Sequence, residues 1–409
     1  MHSFSRFAPL VLLALFLGAP SALAAVEPVP LQLVESFPVE TTLDTPDIPE
    51  AWQVWIEMFD SAKSTIDLSH FYSSSEPGSR LEPVIASLER AAKRGVRLRL
   101  LFDKGFYERT YKEPIDSFRK WPGTTVRLID FAALGGGVQH AKYFLVDGRE
   151  GYLGSQNFDW RALDQIQELG VRMRTAPLVR PLSDVFETDW AIAGGAPRET
   201  RKASGDWSVF ADAGGRTRAR FVASPAGWLP DEKLWDLPEL VRLLDGAKKT
   251  VRVQVLTYGA VDRNHEYFPE LETALRRAAA RGVAVELLVA DWSRREPLLS
   301  GIRSLEALPG IEVRTMSIPE ASRGFVPFSR TVHAKYLVVD GERGWVGTSN
   351  WEGDYFRKSR NVGVLLEGGE IPARLDRFFE RNWSSPYAQQ LDLCRAYPPP
   401  AVGEKPKEK

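Results

Sequence analysis

The chain has 409 residues, with 53 basic and 54 acidic side chains and a net charge of −1. That length allows two domains of ordinary size, and the charge balance argues against a generic duplex-DNA binder. A single cysteine, Cys394, excludes an internal disulfide and a cysteine-built metal site.

At the N-terminus Arg6 is followed by an apolar run from Leu10 to Leu17 and then by "GAPSALAA", with small residues at Ala22 and Ala24. This is the pattern of a secretory signal peptide cleaved after Ala24. The run is shorter than the about 20 apolar residues a spanning helix needs. Residues 1–24 are expected to be a leader, and the protein to be exported, periplasmic or secreted.

A first domain is expected over residues 25–195. "STIDLSHFY" alternates as a strand, and the helical pattern that follows stops at Gly95. "VRLRLLFD" is the next strand. "KYFLVD" is a strand closed by an Asp-Gly turn, with "GYLGS" as its short partner. The domain closes on an amphipathic stretch ending at Trp190. Residues 196–216 are polar and glycine-rich and read as a linker. The second domain, 217–390, repeats the plan: "RARFVASPAGW" as its first strand, "TVRVQVLTY", a helix stopping at Gly282, "VAVELLVAD", "KYLVVD", "GWVGTS", and a last helix ending at Trp383. The tail, 391–409, is rich in proline and lysine and is expected to be disordered. Strands alternating with helices in two self-similar halves imply a duplicated α/β domain.

The sharpest repeat is "HAKYFLVDGREGYLGSQN", beginning at His140, against "HAKYLVVDGERGWVGTSN", beginning at His333. Both read H-x-K-x-x-x-x-D followed by G-[ST]-x-N. The first copy supplies His140, Lys142, Asp147, Ser155 and Asn157. The second supplies His333, Lys335, Asp340, Thr348 and Asn350. Residues two apart in an extended chain share a face, so each histidine projects with its lysine. A histidine can act as nucleophile or general acid, and lysine and asparagine donate to phosphoryl oxygens. One copy holds half of a phosphodiester site; two copies across a pseudo-twofold axis hold a whole one.

These paired motifs resemble the phospholipase D superfamily. "GSQNFDWRALDQIQELGV", "GTSNWEGDYF" and "VPFSRTVHAKY" resemble its branch of endolysosomal exonucleases and poxvirus envelope proteins. The resemblance implies two tandem α/β/α sandwich domains forming a pseudo-twofold, bilobal enzyme. It also implies a metal-independent, two-step reaction through a phosphohistidine; no cofactor and no obligatory protein partner are inferred. In that family an acidic or amide residue downstream of each motif orients the imidazole. At the same distance after each histidine stand Glu168 and Asn361. Assigning Glu168 to His140 makes His140 the nucleophile and His333 the general acid, because a carboxylate stabilises the charge on a phosphorylated imidazole. Asp147 and Asp340 are expected to brace the site or form salt bridges.

His70, Trp351 and Tyr355 are candidates for contacting substrate. "FRKSR", residues 356–360, reads as a basic edge or a solvated charge run. The substrate implied is a phosphodiester in a phospholipid or in single-stranded nucleic acid, with an exonuclease favoured by the branch resemblance. A phospholipase D or transphosphatidylase is the alternative. A non-catalytic phosphodiester-binding protein is a third reading, opposed by two complete motifs.

Overall fold

The computed structural model describes residues 29–198, 205–261, 266–398 and 400–404, together with His2. The expected leader, apart from His2, lies outside the described residues.

The first half runs β1 (Leu31–Ser36), α1 (Ala51–Ser61), β2 (Thr65–His70), β3 (Ser73–Ser74), α2 (Leu81–Lys93), β4 (Arg97–Asp103), α3 (Lys104–Arg109), α4 (Lys112–Phe118) and β5 (Thr124–Ile129). It continues with α5 (Phe131–Gly135), β6 (Tyr143–Val146), β7 (Glu150–Gly154), β8 (Phe158–Asp159), α6 (Trp160–Asp164), β9 (Glu168–Met173) and α7 (Ala176–Ala193). The second half runs β10 (Ser208–Asp212), β11 (Gly215–Ser224), α8 (Asp236–Asp245), β12 (Thr250–Val255), α9 (Pro269–Ala280), β13 (Ala284–Ala290), α10 (Leu298–Glu306) and β14 (Ile311–Met316). After these come β15 (Tyr336–Val339), β16 (Arg343–Gly347), α11 (Gly353–Arg357), β17 (Asn361–Glu367), α12 (Ile371–Trp383) and β18 (Ala388–Gln390).

Local sequence explains the repeated units. In α2 the buried residues Leu81, Val84, Leu88 and Ala91 recur at helical spacing. In α9 Leu271, Ala274, Leu275 and Ala278 do the same. Gly95 and Gly282 follow with φ of 91° and 86°, a left-handed geometry that favours glycine. Each buried leucine contributes about 1.5–3 kcal/mol.

The first sheet has the order β1-β9-β7-β6-β2-β4-β5, and the second contains the equivalent β11-β17-β16-β15-β12-β13-β14. In each, the strands on one side of the histidine motif are parallel (β2 with β4, β12 with β13) and the rest antiparallel. Each lobe packs helices on its outer sheet face around its own core, with Trp55 and Phe59 in the first and Leu240 and Leu275 in the second. A third core joins the lobes. There α7 (Leu182, Phe186) and α12 (Leu375, Phe379) meet residues of both sheets. The expected tryptophans, Trp190 and Trp383, belong to this shared core.

Two boundaries expected from sequence are corrected. Part of the 196–216 segment is not linker, since β10 and the start of β11 form an antiparallel hairpin on the edge of the second sheet. An edge strand with one exposed face carries little apolar alternation, so composition reads it as loop. The 391–409 tail is not disordered over its described part. Leu391 is buried and its N–H donates to Val313 O at 2.8 Å. Tyr397 receives the guanidinium of Arg294 over its ring, and Val402 O accepts from Phe328 N–H at 2.7 Å. Cys394 is exposed and unpaired.

Candidate active site at the lobe interface

The segments carrying the histidines are extended, and each is tied by backbone bonds to the opposite lobe. Gln139 bridges to Arg360, and His140 N–H donates to Arg360 O at 3.1 Å. Reciprocally, Val332 bridges to Gln167, and His333 N–H donates to Gln167 O at 2.8 Å. The strand start that presents Glu168 therefore runs beside His333, and the start that presents Asn361 runs beside His140.

Side chains follow the backbone. His333 Nδ1 lies 2.8 and 2.9 Å from the two oxygens of Glu168. His140 Nδ1 lies 2.9 Å from Asn361 Oδ1. The expected pairing of Glu168 with His140 and Asn361 with His333 is thus reversed, and the nucleophile assignment that rested on it falls. Reading along one repeat gave the right residues but placed each behind the wrong ring, because the repeats exchange them across the interface.

Deeper groups hold the orienting residues. Leu169 N–H donates to Ser155 Oγ at 3.0 Å, next to Glu168. Thr348 Oγ1 donates to Asn361 Oδ1 at 2.9 Å. Asn361 Nδ2 donates to Tyr355 O at 2.8 Å, which fixes the amide with its oxygen toward His140. The hydroxyls of the G-[ST]-x-N segments thus serve the residues behind the imidazoles.

Lys142 and Lys335 are fully buried, and each ammonium donates to the carbonyl of its own motif histidine, His140 O and His333 O. Burial, and then the second lysine, holds Lys142 well below the usual lysine range. Burial pushes Lys335 down to about 7, with Glu168 opposing. Both imidazoles are depressed by burial and then by the two ammonium groups. Burial raises Glu168 to about 7, against the pull of Lys335, Ser155 and Lys142. Cations crowded together out of water form a site that an anion would stabilise. The side-chain oxygens of Asn157 and Asn350 are buried without a hydrogen-bond partner among the described residues.

Other candidates fall elsewhere. Asp147, at φ 53°, accepts from the amides of Lys63, Ser64 and Thr65 at 2.7–2.9 Å. Asp340, at φ 57°, accepts from those of Lys248, Lys249 and Thr250 and pairs with Arg343 at 3.0 Å. Both close turns at the strand ends remote from the lysines, so they brace the sheet and not the site. His70 is fully buried against Trp55 and Phe158, and burial followed by the nearby charge of Lys142 holds its imidazole well below the usual range. It faces the outer core of its sheet. Trp351 is likewise fully buried, in the core of the second lobe. Tyr355 does reach the site, with its ring edge-on to His140 at 4.8 Å.

Sequence reasoning missed the buried ion pair behind Asn361. Arg360, in the segment read as a surface charge run, is fully buried and forms two bonds with Asp189 of α7, at 2.8 and 2.9 Å. It also donates to Ser224 O and Trp228 O. The equivalent place in the other half is neutral: Asn382 donates to Gln254, which donates to Gln167. Aligning the two halves would have flagged Arg360 opposite Gln167 and Asp189 opposite Asn382.

Two imidazoles brought within electrostatic reach of each other by duplicated α/β lobes, each beside a buried lysine, define a phosphodiesterase of the phospholipase D type. The chain belongs to that superfamily: the family described as "Cardiolipin synthase, PLD-like domain" matches residues 55–190 and 240–383. The protein is similar to the 5'-3' exonuclease PLD3 of Rattus norvegicus, with 31% identity over 404 residues covering 90% of this chain and 81% of that protein. It is similar also to phospholipase D Z of Dictyostelium discoideum, with 30% identity covering 88% of this chain and 90% of that protein. Among solved structures, phosphatidylserine synthase of Haemophilus influenzae Rd KW20 shares the fold, with a TM-score of 0.61 at 13% identity, covering 83% of this chain and 85% of the other.

Proposed function

We propose that this phosphodiesterase hydrolyses single-stranded nucleic acid from an end, through a phosphohistidine on His333. The observation that carries the histidine roles is the 2.8 Å contact of Glu168 with His333 Nδ1. In the first step His333 Nε2 bonds to phosphorus while the bond from phosphorus to the leaving oxygen breaks. His140 gives that oxygen its proton. The phosphorylated imidazole is cationic while Nδ1 keeps its proton, and Glu168 stabilises it. In the second step His140 takes a proton from water, the hydroxide attacks phosphorus, and the P–N bond breaks to restore His333. Dividing the displacement in two is the gain of covalent catalysis. Lys142, Lys335, Asn157 and Asn350 hold the phosphoryl oxygens as charge builds on them.

The similarity to the exonuclease PLD3 supports the substrate reading. The similarity to phospholipase D Z favours the second reading, a phospholipase or transphosphatidylase. No helix among the described residues is long and apolar enough to cross a membrane. The leader pattern at the N-terminus supports an exported enzyme. The deciding experiment offers the protein end-labelled single-stranded oligonucleotides and, separately, phosphatidylcholine with a primary alcohol. Stepwise shortening of the oligonucleotide is expected. A phosphatidyl-alcohol product without shortening would replace the first reading by the second.

A further inference from the structure

The cleft is lined differently on its two sides. On the first lobe, rings lead outward from His140. Phe71 stands edge-on to the imidazole at 5.4 Å, with the Lys142 ammonium 5.3 Å from its centroid. Phe106 follows, 3.9 Å from Phe71. Tyr72 and Tyr111 lie parallel to Phe106, within 17° and 6°, and 4.5 Å from each other. The Tyr72 hydroxyl donates to Asp159 at 2.6 Å, which fixes the plane of this face. All four rings remain part-exposed, unlike the core aromatics of the same lobe, and the exposed Arg109 lies 5.1 Å over Phe106.

On the second lobe a cavity of about 300 Å³ opens beside Asn350 and Tyr355. Trp292 and Phe328 give it planar walls, Thr257, Arg295, Glu296 and Glu352 give it polar ones, and Val402 of the C-terminal segment joins the lining. Phe328 is 49% exposed, and its ring meets Trp292 edge-on at 6.5 Å.

Planar, amphipathic faces on both sides of the phosphorus position suit bases, which stack on aromatic rings whatever their sequence. A diacyl lipid presents a small head group on one side and flexible chains on the other, and uses neither face fully. We propose that the cleft is shaped for a phosphodiester with a heteroaromatic base on each side of phosphorus. One base lies on the Phe106–Tyr72–Tyr111 face and the other against Trp292 and Phe328. This rests on the nucleic-acid reading above and assigns the residues that read the substrate.

The test uses the full chain with a dinucleoside monophosphate and two analogues, each abasic on one side. Stacking is worth about 5- to 150-fold in affinity per base. Each abasic analogue is expected to raise KM at least about 5-fold. Trp292→Leu is expected to raise KM for the intact dinucleotide but not further for the analogue lacking the base that Trp292 contacts. Tyr111→Leu is expected to do the same with the other analogue. Leucine keeps apolar bulk without a π face, and thermal melting checks that both variants are folded. Equal KM for all three substrates would overturn the inference and leave the nuclease reading standing. No hydrolysis of any of them, with choline released from phosphatidylcholine, would overturn both.

Discussion

Glu168, on the first sheet, holds His333 Nδ1 of the second lobe at 2.8 Å, while His140 of the first lobe has only the amide of Asn361. The two imidazoles therefore differ in the charge behind them. A covalent intermediate should form on His333. In His140→Ala a p-nitrophenyl phosphodiester, whose leaving group needs no proton, is expected to phosphorylate His333 and stall. Peptide mapping by mass spectrometry would locate the phosphate. Phosphate on His140 in the reciprocal variant, His333→Ala, would reverse the roles. Glu168→Gln should slow turnover by about 10–100-fold.

On the proposed mechanism the two histidines act on one phosphorus, so their losses should not add. His140→Ala and His333→Ala are each expected to abolish turnover of natural substrate, and the double variant to be no worse than either. Turnover should persist in EDTA. Loss in chelator with recovery on adding a divalent ion would overturn a mechanism carried by histidine alone.

The crowded lysines predict a pH-dependent anion affinity. Burial holds Lys335 at about 7 in the free protein, and a bound anion favours its charged form. Below that value the ammonium is already charged, and sulfate should bind at a constant level. Above it, binding must take up a proton, so affinity should fall about tenfold per pH unit. Calorimetry at pH 8 in buffers of different ionisation enthalpy should detect that uptake. Proton release on binding would contradict this assignment.

Breaking the buried pair should cost stability before chemistry. Asp189→Asn leaves Arg360 charged and without its carboxylate in the core, a loss of about 3–5 kcal/mol. A lower melting temperature is expected, with weaker activity because Arg360 adjoins Asn361 in the chain. An unchanged melting temperature would show the pair to be energetically neutral.

His70 should tolerate a change of chemistry but not of volume. His70→Phe is expected to keep activity, and His70→Ala to destabilise the protein by about 2–4 kcal/mol through a cavity. Loss of activity in a stable His70→Phe protein would return His70 to the site.

The sequence made much of this legible. Periodicity placed the strands around both motifs, and the two glycines ended their helices where expected. The candidate chemical groups stood out because duplication showed them twice. What one-dimensional reading lacked was the exchange between halves: spacing names Glu168 and Asn361 but carries no information on which ring each meets. His70 and Trp351 were misplaced because polarity or nearness in sequence does not reveal sheet face. The β10–β11 hairpin hid because edge strands need little apolar alternation, and Arg360 hid because a guanidinium is buried only when a distant carboxylate meets it.

The reciprocal loan of orienting groups has a consequence for symmetry. In an assembly of two identical half-chains, one residue type would have to stand behind both imidazoles. Joining the halves in a single polypeptide frees those positions to differ, and here they do, carboxylate at 168 and amide at 361. Covalent linkage thus allows the two rings to keep different surroundings, a built-in asymmetry that two identical half-chains would lack.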